Sequence, residues 1–315
     1  MDRDDLAARY LRFAEVEAAV ASPHYAALAR AVAADPVVLD LLLDLPRTKR
    51  QPNLLFAVLR LLGGVPADGA ELHDRVVADE ERVRAEVLAR ATQTNEPARA
   101  ASLLPALARV EGPLALVEVG CSAGLLLQLD RYGYAYRTAT GVHRVRPDAG
   151  LVLECSVDGS VALPDDVPQV VHRVGVDRNP LDPADPDTVA WLRALVWPGP
   201  QEQARLARLG PALELAAAHP HERVTGDLVE QLPGVLAGLP AGATPVVLAS
   251  MTLVYLDDDA RAGFADATAG VRVVAAEAPG VVVDVPPDPH GRVVVSLDGE
   301  PLLLAAPHGG AVTAV

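Results

Sequence analysis

The run Leu114-Ala115-Leu116-Val117-Glu118-Val119, followed by Gly120-Cys121-Ser122-Ala123-Gly124, constrains the fold more than any other part of the chain. Its apolar stretch has the length and Val/Leu content of a buried central strand rather than of a helix. Gly120 and Gly124 let the chain turn sharply, and Leu125-Leu126-Leu127-Gln128-Leu129 reads as a packed helical segment. A helix opening there aims backbone N–H groups at the crevice beyond the strand end, where a cofactor would sit. The competing reading of the same residues is a tight strand-to-helix turn that holds no ligand.

Glu118 narrows the choice of ligand. The dinucleotide spacing G-x-G-x-x-G is missed, because the series runs Gly120, Ser122, Gly124 and then Leu125. A carboxylate within reach of the turn repels a pyrophosphate and favours a ligand carrying an ammonium and a sulfonium. The order acid-x-Gly-x-small-x-Gly resembles the first motif of class I S-adenosylmethionine-dependent methyltransferases, with Ser122 where many members have a second glycine. That resemblance implies a Rossmann-like α/β sheet ending in an antiparallel hairpin, S-adenosylmethionine as cofactor, and Glu118, Gly120, Ser122 and Gly124 among the residues that hold it.

The chain around this motif reads as two parts, an N-terminal all-helical domain over residues 1–110 and an α/β domain over 111–315. Apolar residues at helical spacing mark Leu6 to Ala21, Tyr25 to Ala34, Val37 to Leu45, Leu54 to Leu62 and Glu71 to Ala91, with Ser22-Pro23, Asp35-Pro36 and Gln51-Pro52 as start signals. A last helix spans about Glu96 to Val110. Thr94 or Asn95 is read as its N-cap, and the functional alternative has Gln93, Asn95 and Glu96 facing the cofactor crevice. From Leu114 onward, short apolar runs alternate with helical stretches, the pattern of a parallel sheet with covering helices.

A hairpin insert at about 132–170 interrupts that alternation and is expected to cover one edge. The second core strand, Val170 to Val176, delivers Asp177, a carboxylate suited to accept from two ribose hydroxyls. Arg223 to Thr225 is a short third strand ending at Gly226-Asp227, and Thr244 to Ala249 is a fourth that stops at Ser250. The methyltransferase resemblance implies that Asp227 accepts from the adenine amino group, with an N-cap role as the alternative. It also places Ser250, and Tyr255 beyond it, on the substrate side. Val271 to Ala276, Val281 to Val285, Val293 to Leu297 and Leu302 to Leu304 read as further strands, with Asp298-Gly299 as a hairpin turn. Trp197, in Trp-Pro-Gly-Pro, is read either as core or as a wall of the acceptor pocket.

Gln51-Pro52-Asn53, Gln93-Thr94-Asn95-Glu96, Leu153-Glu154-Cys155, the run Trp191 to Pro198, and Pro307-His308-Gly309 resemble an uncharacterised bacterial family, domain of unknown function 2332. In that family an Asn often stands where this chain has Leu126, and a His where it has Ala249.

Composition excludes several classes. A net charge of -15 with 3% aromatic residues argues against nucleic acid, which needs cationic stripes and exposed rings. No apolar run is long enough to span a membrane, and a charged start, Asp2-Arg3-Asp4-Asp5, gives no secretory signal, so a cytoplasmic location is expected. Two cysteines and scattered histidines lack metal-ligand spacing, and His219 and His221 are assigned to a surface loop. The expected function is methyl transfer from S-adenosylmethionine to a small-molecule acceptor lined by Asn95, Trp197 and Ser250, with the helical domain as a lid. The alternative is a non-catalytic methyltransferase-like ligand-binding or regulatory protein, which Leu126 and Ala249 favour.

Overall fold

The computed structural model describes residues 2–93 and 95–315, so the N-cap reading of Thr94 lies outside the described residues. The chain divides into two compact units, residues 1–94 with 185–207, and residues 95–184 with 208–315. The division falls earlier than residue 110, and the segment 185–207 joins the helical unit rather than the α/β unit.

In the helical unit, aspartates and prolines start the helices where the sequence signals them. Ser22 accepts from the Tyr25 N–H ahead of Pro23–Ala33, and Asp35 accepts from Val37 and Val38 ahead of Pro36–Leu43. Two long readings are broken. The first helix passes from Arg3–Arg12 into a π-turn at Phe13–Glu17, and the stretch from Glu71 divides at Asp79 into Gly69–Ala78 and Glu80–Ala89. The core holds an aromatic cluster in which Tyr25 lies 4.9 Å from Phe56 and Phe13 lies 5.2 Å from Trp197, ring centroid to ring centroid. Helix Pro186–Ala194 belongs here for a physical reason: Trp191 donates Nε1–H to the Ala91 carbonyl at 3.1 Å, and Arg90 lies over its ring while pairing with Asp187.

In the α/β unit the described residues form one sheet of eleven strands: β1 Leu114–Val119, β2 Gly133–Thr138, β3 Gly141–Val145, β4 Val152–Asp158, β5 Val170–Asp177, β6 Glu222–Thr225, β7 Thr244–Ser250, β8 Arg272–Glu277, β9 Val293–Leu297, β10 Glu300–Ala305 and β11 Ala311–Ala314. Their order is β3-β2-β4-β11-β10-β9-β8-β7-β1-β5-β6. The block β8-β7-β1-β5-β6 is parallel throughout, with β1 central and buried along its length. Asp298 and Gly299 both take positive φ, +54° and +79°, as a tight hairpin turn between β9 and β10 requires.

The insert covers a sheet edge by joining it: β2, β3 and β4 extend the sheet, with β4 pairing in parallel with the C-terminal β11, a strand the sequence reading missed. Two sequence expectations are corrected. Val281 to Val285 is not a strand. Its backbone bonds close on themselves, Gly280 N–H to Val283 O and Val285 N–H to Val283 O, and Pro286 and Pro287 follow with no N–H to offer a neighbour. The segment after the glycine turn is a six-residue 3-10 helix, Leu126–Arg131, instead of an α-helix. Carbonyls that an α-helix would use internally are taken by side chains: Leu125 O accepts from Tyr132 Oη, and Leu127 O from Arg173 Nε.

Candidate functional site

Alternation along β1 separates two environments. Val117 and Val119 pack with Val174, Val176, Val247, Leu232 and Phe264 in one apolar cluster. Glu118 takes the other face, beneath the glycine turn, and is only 3% exposed. The Leu127 N–H bonds its carboxyl, while Oε2 has no partner. Burial, reinforced by the nearby Asp177, pushes the Glu118 carboxyl well above the usual carboxylate range, against the pull of Arg99.

The turn itself runs through three left-handed residues, Gly120 at φ +69°, Ser122 at +50° and Gly124 at +69°. A Cβ on Gly124 would run into the His221 ring, so this glycine is demanded by contact as well as by backbone angle. The turn's N–H groups are committed within the protein: Gly120 to Val176 O at 2.8 Å, Ser122 to Asp177 Oδ2 at 2.9 Å and Gly124 to Cys121 O at 2.7 Å. With a 3-10 helix following, the expected array of helix N-terminal donors is not there.

Asp177 ends β5 and accepts from Ser122 N–H and Asn179 N–H, so it ties the glycine turn to the next strand. Asp227 caps helix Leu228–Ala237 through the Val229 N–H and also pairs with Arg178 at 2.6 Å, which holds its carboxyl below the usual range. A crevice of about 200 Å³ opens between these ends, walled by Gly120, Asp177, Arg178, Asp227, Thr252 and Tyr255. It lies at the carboxyl ends of parallel strands, where open α/β sheets bind ligands.

The wall after β7 is set by a residue the sequence reading passed over. Glu277, at the end of β8, is 1% exposed and accepts the N–H groups of Thr252, Leu253 and Val254, folding residues 252–255 over the sheet end. Burial raises its carboxyl. Met251, just ahead, takes φ +56°, so two non-glycine residues with strained backbone, Ser122 and Met251, follow neighbouring strand ends.

Arg99, 8% exposed, was also missed. It donates from Nε to Pro307 O at 2.8 Å and reaches Ser250 O at 3.5 Å from Nη1. The signal was present, since Arg99 is the one charged residue in a helix, Arg99–Leu107, whose residues are otherwise apolar or small and all buried. Gly309 explains part of the Pro307-His308-Gly309 motif: a Cβ there would strike the Ala98 backbone.

Of the predicted site residues, Glu118, Gly120, Ser122, Gly124, Asp177 and Asp227 gather at the carboxyl ends of β1, β5 and β6. Asn95 joins them by donating Nδ2–H to Cys121 O at 2.6 Å, and Ser250 stands at the end of β7. Trp197 does not. It sits in the helical unit against Phe13 and Tyr25, the core alternative of its two readings. His221 corrects the surface-loop reading: its ring lies against Gly124 and Gly175 with both nitrogens buried and unpartnered, and burial pushes it down to about 4.

These features define a mixed α/β protein with a large, mostly parallel sheet and, at its carboxyl edge, a crevice in which Asp177, Arg178 and Asp227 stand among mainly apolar walls such as Val176, Leu228 and Leu256. The chain belongs to the family described as "Uncharacterized protein conserved in bacteria (DUF2332)", which it matches over residues 7–313. No curated protein and no solved structure matches it. Among the described residues no helix is long and apolar enough to cross a membrane.

Proposed function

We propose that this protein binds S-adenosylmethionine and transfers its methyl group to a small molecule. The observation that carries the reading is the orphaned Oε2 of Glu118, a buried carboxylate oxygen beside the glycine turn with no protein donor. Leaving such an atom unsatisfied costs about 1–3 kcal/mol, and a cationic ligand removes that cost. The crevice beyond the turn supports the same reading: a volume of about 200 Å³ with Asp177 and Asp227 on its walls suits a nucleoside that offers ribose hydroxyls and an exocyclic amine.

When bound, S-adenosylmethionine supplies a methyl on a cationic sulfur, a leaving group that needs no protonation. The chain's own residues then have positioning work: Glu118 holds positive charge, Asp177 and Asp227 orient the nucleoside, and the 252–255 segment walls one side. Leu126 and Ala249, both buried and apolar, favour the second reading, a ligand-binding protein without turnover.

Isothermal titration with S-adenosylmethionine and S-adenosylhomocysteine tests the proposal. The wild type is expected to bind both, and Glu118→Ala and Asp177→Ala to lose both while still melting cooperatively. A wild type that binds neither sinks it. Binding without transfer of labelled methyl to any small-molecule pool selects the second reading.

A further inference from the structure

Asn95 Oδ1 and Ser250 Oγ are both buried and have no hydrogen-bond partner in the protein. Asn95 and Arg99, four residues apart, reach two neighbouring strand ends, the first bonding Cys121 O just beyond β1 and the second Ser250 O at the end of β7. In that parallel pair Glu118 is opposite Leu248 and Val119 is opposite Ala249. Alternation therefore puts the Ser250 side chain on the same face as Glu118.

The amide of Asn95 cannot be turned over. Cys121 O only accepts, so the nitrogen must face it, and Oδ1 is left as a pure acceptor. Whatever occupies this spot must donate to Asn95, and a second donor would satisfy the Ser250 hydroxyl. From this we infer that the methyl acceptor is an amine, held by one N–H to Asn95 Oδ1 and another to Ser250 Oγ. The inference rests on the methyl-transfer reading.

An amine matches both orphans and keeps its lone pair for reaction, whereas an alcohol has one hydrogen and must surrender it to a base. The nitrogen lone pair forms the new N–C bond, the S–C bond breaks with its electron pair remaining on sulfur as a neutral thioether, and the surplus proton on nitrogen leaves to water. No enzymic base is required for an acceptor already nucleophilic. The net charge of -15 concentrates amines around the molecule as ammonium ions, each of which gives one proton to water before its lone pair can react.

The test separates this inference from the one beneath it. Titration with S-adenosylhomocysteine comes first. The saturated protein is then titrated above pH 10, where benzylamine is mostly neutral, with benzylamine and with benzyl alcohol, which share a shape and differ in the donor group. Benzylamine is expected to bind at least about tenfold more tightly, the size of one well-placed hydrogen bond. Asn95→Ala should abolish that preference. Ser250→Ala should weaken benzylamine severalfold while leaving the melting temperature unchanged or raised, because it removes a hydroxyl that bonds nothing. That pairing is what a purely structural serine would not show. If S-adenosylhomocysteine binds but the alcohol binds as well as the amine, or Ser250→Ala changes neither, the amine inference fails and the cofactor reading stands. Without S-adenosylhomocysteine binding, both fall.

Discussion

The two faces of β1 are built from alternate residues of one six-residue strand, yet they follow different rules. On the side of Val117 and Val119, apolar side chains from β5, β7 and two helices fill the space. On the side of Glu118, polar groups are buried, several unpartnered, and the strand is followed by residues in costly backbone conformations. Packing alone would not keep a carboxyl, an imidazole and a serine hydroxyl on one side of a sheet when the other side shows how well Val and Leu serve. The difference marks where this molecule gives up stability for something else, and it can be probed from both sides.

The largest effect is expected on the apolar side. Leu232→Ala empties a fully buried site and should cost about 2–5 kcal/mol in urea unfolding, with ligand binding at saturating stability unaffected. A binding loss in the folded mutant would mean the two faces are not separable. Next is Asp177→Asn on the polar side. The backbone N–H groups of Ser122 and Asn179 lose their charged acceptor, and about 1–3 kcal/mol should follow, together with loss of S-adenosylhomocysteine binding. A variant that unfolds normally and binds normally would remove Asp177 from the site.

Glu118 gives the comparison a pH dependence. Its carboxyl is raised on folding, so the native state holds the proton more tightly than the unfolded chain does. The stabilisation is complete below the unfolded value of about 4.3 and is lost as pH rises through the raised folded value. Glu118→Gln has no such proton, so its stability relative to wild type should improve steadily as pH increases across that window. Affinity for a cationic ligand should move the opposite way in wild type, tightening with pH as the carboxylate ionises, and be flat in Glu118→Gln. Unfolding midpoints and titrations at a series of pH values read both; a constant difference between the two proteins would contradict the burial argument.

What could be read from the sequence divides along similar lines. β1, β5 and β7 were legible because each is an apolar run of strand length closed by Gly, Asp or Ser, and the glycine turn because left-handed backbone demands small residues. β11 was not, since Ala311–Ala314 is short and pairs with β4, more than 150 residues away in the chain, a partner no local pattern names. The 3-10 helix was illegible for a related reason: Leu126 to Leu129 fits an α-helix locally, and only Arg173 and Tyr132 reaching its carbonyls decide otherwise. Among the candidate site residues, Glu118, Asp177 and Asp227 could be found from strand ends. Glu277 and Arg99 act on backbone of other elements, and the sequence left Trp197 open between core and pocket wall because its aromatic partners Phe13 and Tyr25 are far away in sequence.

The smallest effect tests whether the strain beside Glu118 is intrinsic to the turn. Ser122 holds φ +50° while its N–H bonds Asp177, and that bond belongs to the backbone, so a glycine would keep it. Ser122→Gly relieves a left-handed residue of about 1–2 kcal/mol but adds freedom to the unfolded chain worth about 0.5–1 kcal/mol. The net expectation is a gain of a few tenths to about 1 kcal/mol, read as a small rise in the urea midpoint at unchanged slope. S-adenosylhomocysteine affinity should stay within about twofold, because the turn's path is set by Gly120, Gly124 and Asp177. A loss of more than about 1 kcal/mol would show that the serine side chain contributes more than its backbone costs, and the turn would then be a polar contact site rather than only a bend.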